Sequence, residues 1–516
     1  MQRVTRAGVT GTSPVLRIQI GAPASIDPAV CFDHDGALVL RVLADPLVDY
    51  TPADGQLRPA AAKSWRVMPD GMSIVFTLRR GVRFHHGREV TAEDYVFSLS
   101  RVVRPETGSE ISYHLAMVDG YDEVRDGRAD TLRGVRALGP YRLEIRLMQR
   151  FHEVAAVFSH RVTAPVPREL CESDSESFRR RPVSNGPYRL VRPWEQDGSV
   201  GLERFAGYYA ANAAFSSGGT GQVERIDFDV LDSSDTAYRA WTGGALDVLA
   251  VPESQVVDEA TLGGSYYRTP CAALTYLAYP VRVPPFDDPT VRRAVAMSIH
   301  RERLCELVRS DELTPAHRIV PPQLASDDRA LLDVSYNPEL ARRMLAAQHL
   351  PADFTLPVVF DEDKGHDNWV GQIGADLREN LGWRVEVRPM PRARYLQWLA
   401  EPDALFRATW MCDYPSVDNF LFPLFHSASM GNGNYGGYLN PTVDTLIDMA
   451  RATTKAVDRR DRYRAAEQAV CDDLPILPLW FGIHRHLVNT DRFDVDGWPI
   501  DIFGDPSPRL FRARPN

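Results

Sequence analysis

Residues 354–388 carry the pattern that most constrains this chain: a strand, a helix and a second strand in close succession. Phe354–Phe360 reads as the first strand, and Trp369–Leu381 as a helix with Val370, Ile373 and Leu377 aligned on one face. Gly382 follows, a residue that tolerates the left-handed backbone with which helices commonly end. Arg384–Arg388 is then the second strand. Two strands joined through a helix run parallel, and the crossover lays that helix on the sheet. An α/β domain with a parallel sheet is therefore expected in the second half of the chain.

That domain cannot account for the whole chain. Its 516 residues exceed the size at which one hydrophobic core stops growing, so two or more lobes are expected. Residues 45–182 read as an α+β unit of their own. Within it, 73–79 alternates after an Asp70-Gly71 turn, with Ile74, Phe76 and Leu78 on one face, and 141–147 is a further strand. Thr91-Ala92-Glu93-Asp94 is a helix cap, and Tyr95, Leu99 and Val102 continue the apolar stripe. Asp288-Pro289 opens another helix, because aspartate accepts from the orphan N–H groups and proline in the first turn loses no hydrogen bond. Val291, Ala294, Val295 and Ile299 share its apolar face. The apolar stretch 474–490 is strand-like and can return to an earlier lobe.

Charge and motif content narrow the function. A net charge of -10 opposes binding to a phosphate backbone, which asks for a basic stripe. Arginine carries nearly all the positive charge, lysine standing only at 63, 364 and 455. No run of 18 or more apolar residues is present, so no membrane span is expected. Met1–Gly8 has neither an apolar h-region nor a lipid-accepting cysteine, as in a mature form after signal removal or in a cytoplasmic protein. The six cysteines are scattered without a Cys-x-x-Cys pair. His85-His86 and His484-x-His486, the latter on one face of a strand, have no third ligand nearby in sequence. No metal and no other cofactor is expected. The chain also lacks a nucleophile elbow, a phosphate loop and a zinc helix, so it is not read as an enzyme and no catalytic residue is assigned.

Binding is the remaining theme. In Trp410-Met411-Cys412-Asp413-Tyr414-Pro415-Ser416-Val417-Asp418-Asn419-Phe420 an acid stands among aromatics, with Arg407 three residues before Trp410. That constellation suits a zwitterionic solute. Asp413 is the partner for a buried ammonium, since a site closed to water needs a carboxylate there, or else it caps a helix or sits in a turn before Pro415. Arg407 holds a carboxylate bidentately, or pairs with a nearby acid such as Asp403. Trp410 and Tyr414 are walls of the site or core residues. Asn434 and Tyr435 lie in the Gly431–Gly437 loop, which presents backbone groups to a ligand or serves as a connector.

Six stretches then occur in a familiar order: Leu57–Trp65, Phe84–Asp94, Asn185-Gly186-Pro187-Tyr188, Ala240–Val248, Pro284–Val295 and Asp413–His426. Together, over about residues 15–500, the chain resembles the extracytoplasmic solute-binding proteins of ABC transporters, family 5, the oligopeptide, dipeptide and nickel group. One departure is Asn185, where the family usually has threonine. The resemblance implies a two-lobed α/β fold that closes by a hinge over a solute held in the cleft between the lobes. It also implies an extra α+β domain inserted in the first lobe. The corresponding segments are 1–44, 183–268 and 484–516 for the first lobe, 45–182 for the insertion and 269–483 for the second lobe. The implied function is capture of a peptide or peptide-like solute for an ABC importer, by a monomer that meets permease subunits and no nucleic acid. Contact with the membrane would be through the transporter or a lipid anchor, at an extracytoplasmic location. An enzyme or cytoplasmic sensor reusing the fold is the alternative.

The resemblance also assigns residues. In peptide-binding members the aspartate at Asp413 pairs with the ligand α-ammonium, and oligopeptide binders place an arginine at Arg407. Tyr113 and His114 fall in a segment similar to one that reaches the cleft. The loop after Ile26-Asp27-Pro28 contacts the ligand backbone in peptide binders, sometimes through an acid, which makes Asp33 a candidate alongside Asp35. Cys271 and Cys412 lie near positions where some members carry a bridge, so the resemblance admits a Cys271–Cys412 disulfide.

Overall fold

The structure, a computed structural model, describes residues 15–195, 198–210, 223–231, 233–251, 265–309, 313–325, 327–348, 354–362, 366–495 and 499–514. Met1–Gly8 and Lys364 lie outside them. The chain forms two compact units, Met1–Thr269 with His484–Asn516, and Pro270–Ile483. It passes from one to the other twice, within the strands Tyr266–Ala278 and Ile476–Val488.

The first unit is built on the strand Val15–Ile20. Its Leu16, Ile18 and Ile20 are buried while the residues between them are not, the alternation of a strand with one face on a core. It pairs parallel with Arg225–Val230 and with Val248–Ala250, and antiparallel strands Val200–Arg204 and Tyr188–Leu190 extend the sheet beyond Arg225–Val230. Helix His34–Leu43 lays Leu38, Val39, Val42 and Leu43 into the same core. Residues between 45 and 182 add a separate antiparallel sheet in the order Ala62–Val67, Ser73–Leu78, Arg142–Arg146, Val135–Ala137. Ile74, Phe76 and Leu78 face inward on it, and helix Ala92–Val103 begins in a capping box between Thr91 and Asp94. Arg101 from that helix meets Asp27 through two bonds, at 2.9 and 2.5 Å.

The second unit contains the expected crossover. Thr355–Asp361 pairs parallel with Arg384–Met390 in register from Thr355↔Arg384 to Asp361↔Met390. Helix Asp367–Leu381 joins them, burying Val370, Ile373 and Leu377, and ends at Gly382 with φ 69°. Leu405–Met411 runs parallel to Thr355–Asp361 on its other side and antiparallel to Tyr266–Ala278. Helix Pro289–Met297 starts as its sequence dictates, with the Asp288 carboxylate accepting from the Thr290 N–H at 2.6 Å.

The Cys271–Cys412 bridge does not form. The Cys412 N–H donates to the Ala272 carbonyl at 2.9 Å, so Ala272 stands opposite Cys412. Cys271, one residue along, points to the other face of the sheet, and all six cysteines are free. Among the described residues no helix is long and apolar enough to cross a membrane.

Candidate functional site

In the second unit, strand Leu405–Met411 carries Arg407 and Trp410, and Asp413 lies beyond its end. Asp413 stands two residues past the last strand residue, Met411, and is partly exposed. Its N–H donates to Asn419 Oδ1 at 2.8 Å, and Asn419 Nδ2 donates back to Asp413 Oδ2 at 3.1 Å. The Asn419 carbonyl accepts from Trp410 Nε1 at 2.7 Å. A single buried asparagine at the start of helix Asp418–Phe425 thus fixes both the acid and the indole of the Trp410 segment. Asp413 is not a helix cap, because that helix begins at Asp418 after Val417. Asn419 belongs to the Trp410–Phe420 segment, and the turn between strand and helix is what returns its amide to Asp413.

Arg407 sits three residues before Trp410 on the strand. Its Nη1 is 3.1 Å from Asp361 Oδ1 and its Nη2 donates to Thr409 Oγ1 at 2.8 Å. The ion-pair reading is therefore met, with Asp361 as partner instead of Asp403, whose carboxylate accepts from Trp398 Nε1 at 3.2 Å. Asp361 ends the neighbouring parallel strand, and its side chain is 1% exposed. It also pairs with the half-exposed Arg392 at 3.3 Å.

Two further candidates on this unit are buried. Tyr414 is 7% exposed, and burial pushes its phenol well above the usual range, with Asp418 adding to the effect. Tyr414 is packed in the interior. The Asn434 amide is consumed by its own loop: Nδ2 donates to the carbonyls of His426 and Tyr438, and Oδ1 accepts from the Tyr438 N–H. Connector is its role. Tyr435 is half-buried and lines, with Tyr276, Phe406, Leu424 and Phe425, a cavity of about 10 Å³, room for about one water.

On the first unit, the Asp33 carboxylate accepts from backbone. Its Oδ1 accepts from the Gly36 N–H at 2.8 Å as the N-cap of helix His34–Leu43, and its Oδ2 from the Ala24 N–H at 3.1 Å. Asp35 is likewise taken up by the Gly21 N–H at 2.8 Å. Both acids hold backbone. Tyr113 and His114 lie on the short turn Ser112–Leu115, stacked ring on ring at 4.5 Å, and His160 stacks on His114 at 4.4 Å. Burial lowers the His114 pKa to about 3, so it stays a neutral imidazole.

The sequence model of bacterial extracellular solute-binding proteins, family 5 (middle region), matches residues 56–432. Among curated proteins, the chain is 26% identical over 492 residues to the probable deoxycholate-binding periplasmic protein YgiS of Escherichia coli K12, covering 93% of this chain and 89% of that one. It is 25% identical over 481 residues to the oligopeptide-binding protein OppA of Bacillus subtilis, covering 89% and 86%. Among solved structures, Haemophilus influenzae OppA in complex with the peptide RPPGFSPFR shares the fold with a TM-score of 0.79, at 21% identity and 97% and 99% coverage.

Proposed function

Because the chain belongs to family 5 of the bacterial extracellular solute-binding proteins, we propose that it is the capture subunit of an ABC importer whose solute is a peptide or peptide-like molecule with a free α-amino group. The observation that carries the reading is Asp413, a carboxylate oriented by the Asn419 amide at the end of a strand, with Arg407 and Trp410 on that same strand. An ammonium group is the natural partner for such an acid. Relatives named for oligopeptides support a peptide. The relative named for deoxycholate marks a non-peptide solute as the competing choice.

We take residues 45–182 as an insertion between 1–44 and 183–268, with 484–516 completing the first lobe and 269–483 forming the second. The protein works as a monomer outside the cytoplasmic membrane and meets that membrane through permease subunits. No observation favours an enzyme or a cytoplasmic sensor.

Calorimetric titration with a tripeptide and with its N-acetylated form tests the reading. The free-amine peptide binds and the acetylated one binds at least tenfold more weakly. Equal affinity for both removes the ammonium from the account.

A further inference from the structure

The four-stranded antiparallel sheet between residues 45 and 182 has two unlike faces. Ile74, Phe76, Val135, Leu143 and Ile145 point inward and are buried. The alternate positions point outward, because successive side chains of a strand take opposite faces. Cross-strand pairing sets these in rows. Arg66 stands opposite Val75, Val75 opposite Glu144, and Glu144 opposite Arg136. In neighbouring rows Thr77 stands opposite Arg142, and Ser73 opposite Arg146. The four arginines are exposed, and so is Lys63 in the bulge at the start of the Ala62–Val67 strand.

Little of this charge is neutralised. Glu144 is the acid within the rows, and it accepts from Arg146 Nε at 3.1 Å. Asp119, an acid that Arg136 and Arg146 also attract, is held by Arg133 at 2.5 Å. Arg66 and Arg142 have no ion-pair partner among the described residues. A basic face therefore stands on a chain whose net charge is -10. Leu138 and Met148, two residues beyond Arg136 and Arg146, lie at opposite ends of the 135–146 hairpin and are 47% and 49% exposed.

We propose that this face docks on an anionic phospholipid membrane. Small side chains between the guanidinium groups leave those groups free to reach a plane of phosphates, which they bind through paired N–H donors. Exposed apolar tips at the margins suit the headgroup layer, as on other basic surfaces that lie on anionic membranes. A protein partner asks instead for a desolvated apolar centre, and the centre of this face is charged. The remaining negative charge of the chain is repelled only within a Debye length, roughly 10 Å at 0.1 M salt, so a face-on approach lets the near arginines prevail. The contact is additional to the one with permease subunits and independent of the solute.

The test is co-sedimentation of the untagged full chain with vesicles of phosphatidylglycerol and phosphatidylcholine, and with vesicles of phosphatidylcholine alone. The chain is expected to sediment with the anionic vesicles and not with the neutral ones. It should be released at about 1 M salt, where the Debye length falls to roughly 3 Å. Arg66→Ala/Arg142→Ala, at exposed positions outside the solute contacts, weakens binding at least tenfold while its circular dichroism spectrum and Tm match the wild type. Leu138→Ser/Met148→Ser weakens it too, at unchanged net charge. Arg343→Ala, at an exposed arginine of the second unit, leaves it unchanged. Absence of the wild-type chain from the anionic vesicles overturns the proposal and leaves the face to an acidic protein partner. Equal binding to both kinds of vesicle, or undiminished binding by the arginine double variant, overturns it as well.

Discussion

Asp413 and Asp33 are both acids placed by the same reasoning in a solute site, and their surroundings now separate them. Asp413 spends one carboxylate oxygen on the Asn419 amide and stands partly exposed at a strand end. Asp413→Ala should weaken binding of an α-amino solute by more than tenfold, about 1.4 kcal/mol or more, with little loss of stability. Calorimetry reads this directly, and unchanged affinity would end its role as anchor. Asp33→Ala should do the reverse, costing about 1 kcal/mol of stability in a denaturant titration through the lost N-cap while solute affinity holds. A drop in affinity at constant stability would restore Asp33 to the site. Residue type and motif order sufficed to find Asp413, whereas the partner of Arg407 was out of reach. Asp361 is 46 positions away, and only the parallel pairing of their two strands makes them neighbours. Asp403 was the plausible choice as long as sequence distance stood in for distance in space.

Among the elements, the strand Ile476–Val488 carries a glycine whose identity has a cause. A methyl group on Gly482 would overlap the Cys271 sulfur and come within 3.2 Å of Ala273 Cβ. Cys271 is fully buried and cannot swing aside. Gly482→Ala is expected to cost roughly 1–3 kcal/mol by overpacking. Adding Cys271→Ala should recover most of that, a coupling that denaturant titration of both single variants and the double variant measures. Additive losses would show that the clash is not what fixes the glycine. Elements were the most legible scale, because strands such as Ser73–Leu78 and helices such as Pro289–Met297 announce themselves through local period and caps. Register was not legible. The Cys271–Cys412 pairing fails by a single residue of offset, and one residue in a strand is a change of face.

For the molecule as a whole, three histidines of the first unit are neutral in the fold and are held there by burial. Burial lowers the His85 pKa to about 4, and those of His114 and His486 to about 3. At His85 both nitrogens are engaged: the Ser184 N–H lies 3.4 Å from Nδ1, and Nε2 is 3.2 Å from the Gly186 carbonyl, so a second proton would cost the Ser184 contact. A histidine whose folded pKa lies below its unfolded value of about 6.5 takes up its proton first in the unfolded chain. Stability is therefore complete above about pH 6.5 and falls as pH drops toward 4, by about 1.4 kcal/mol per pH unit for each such histidine. Denaturant titrations at pH 7, 5.5 and 4.5, in the presence of a chelator, should show this decline, and a flat profile would contradict it. The fold-level reading was available from the order of six short stretches, since order along a chain survives where individual residues drift. The identity of the solute was not, because it depends on side chains from separate segments. Native mass spectrometry of the full chain, purified without denaturation, is the most direct test of the central claim. The account predicts an adduct of peptide mass that is released on unfolding, sequences as a peptide with a free amino terminus, and is depleted in Asp413→Ala. A retained sterol or other amine-free molecule, or a peptide retained equally by Asp413→Ala, would contradict it.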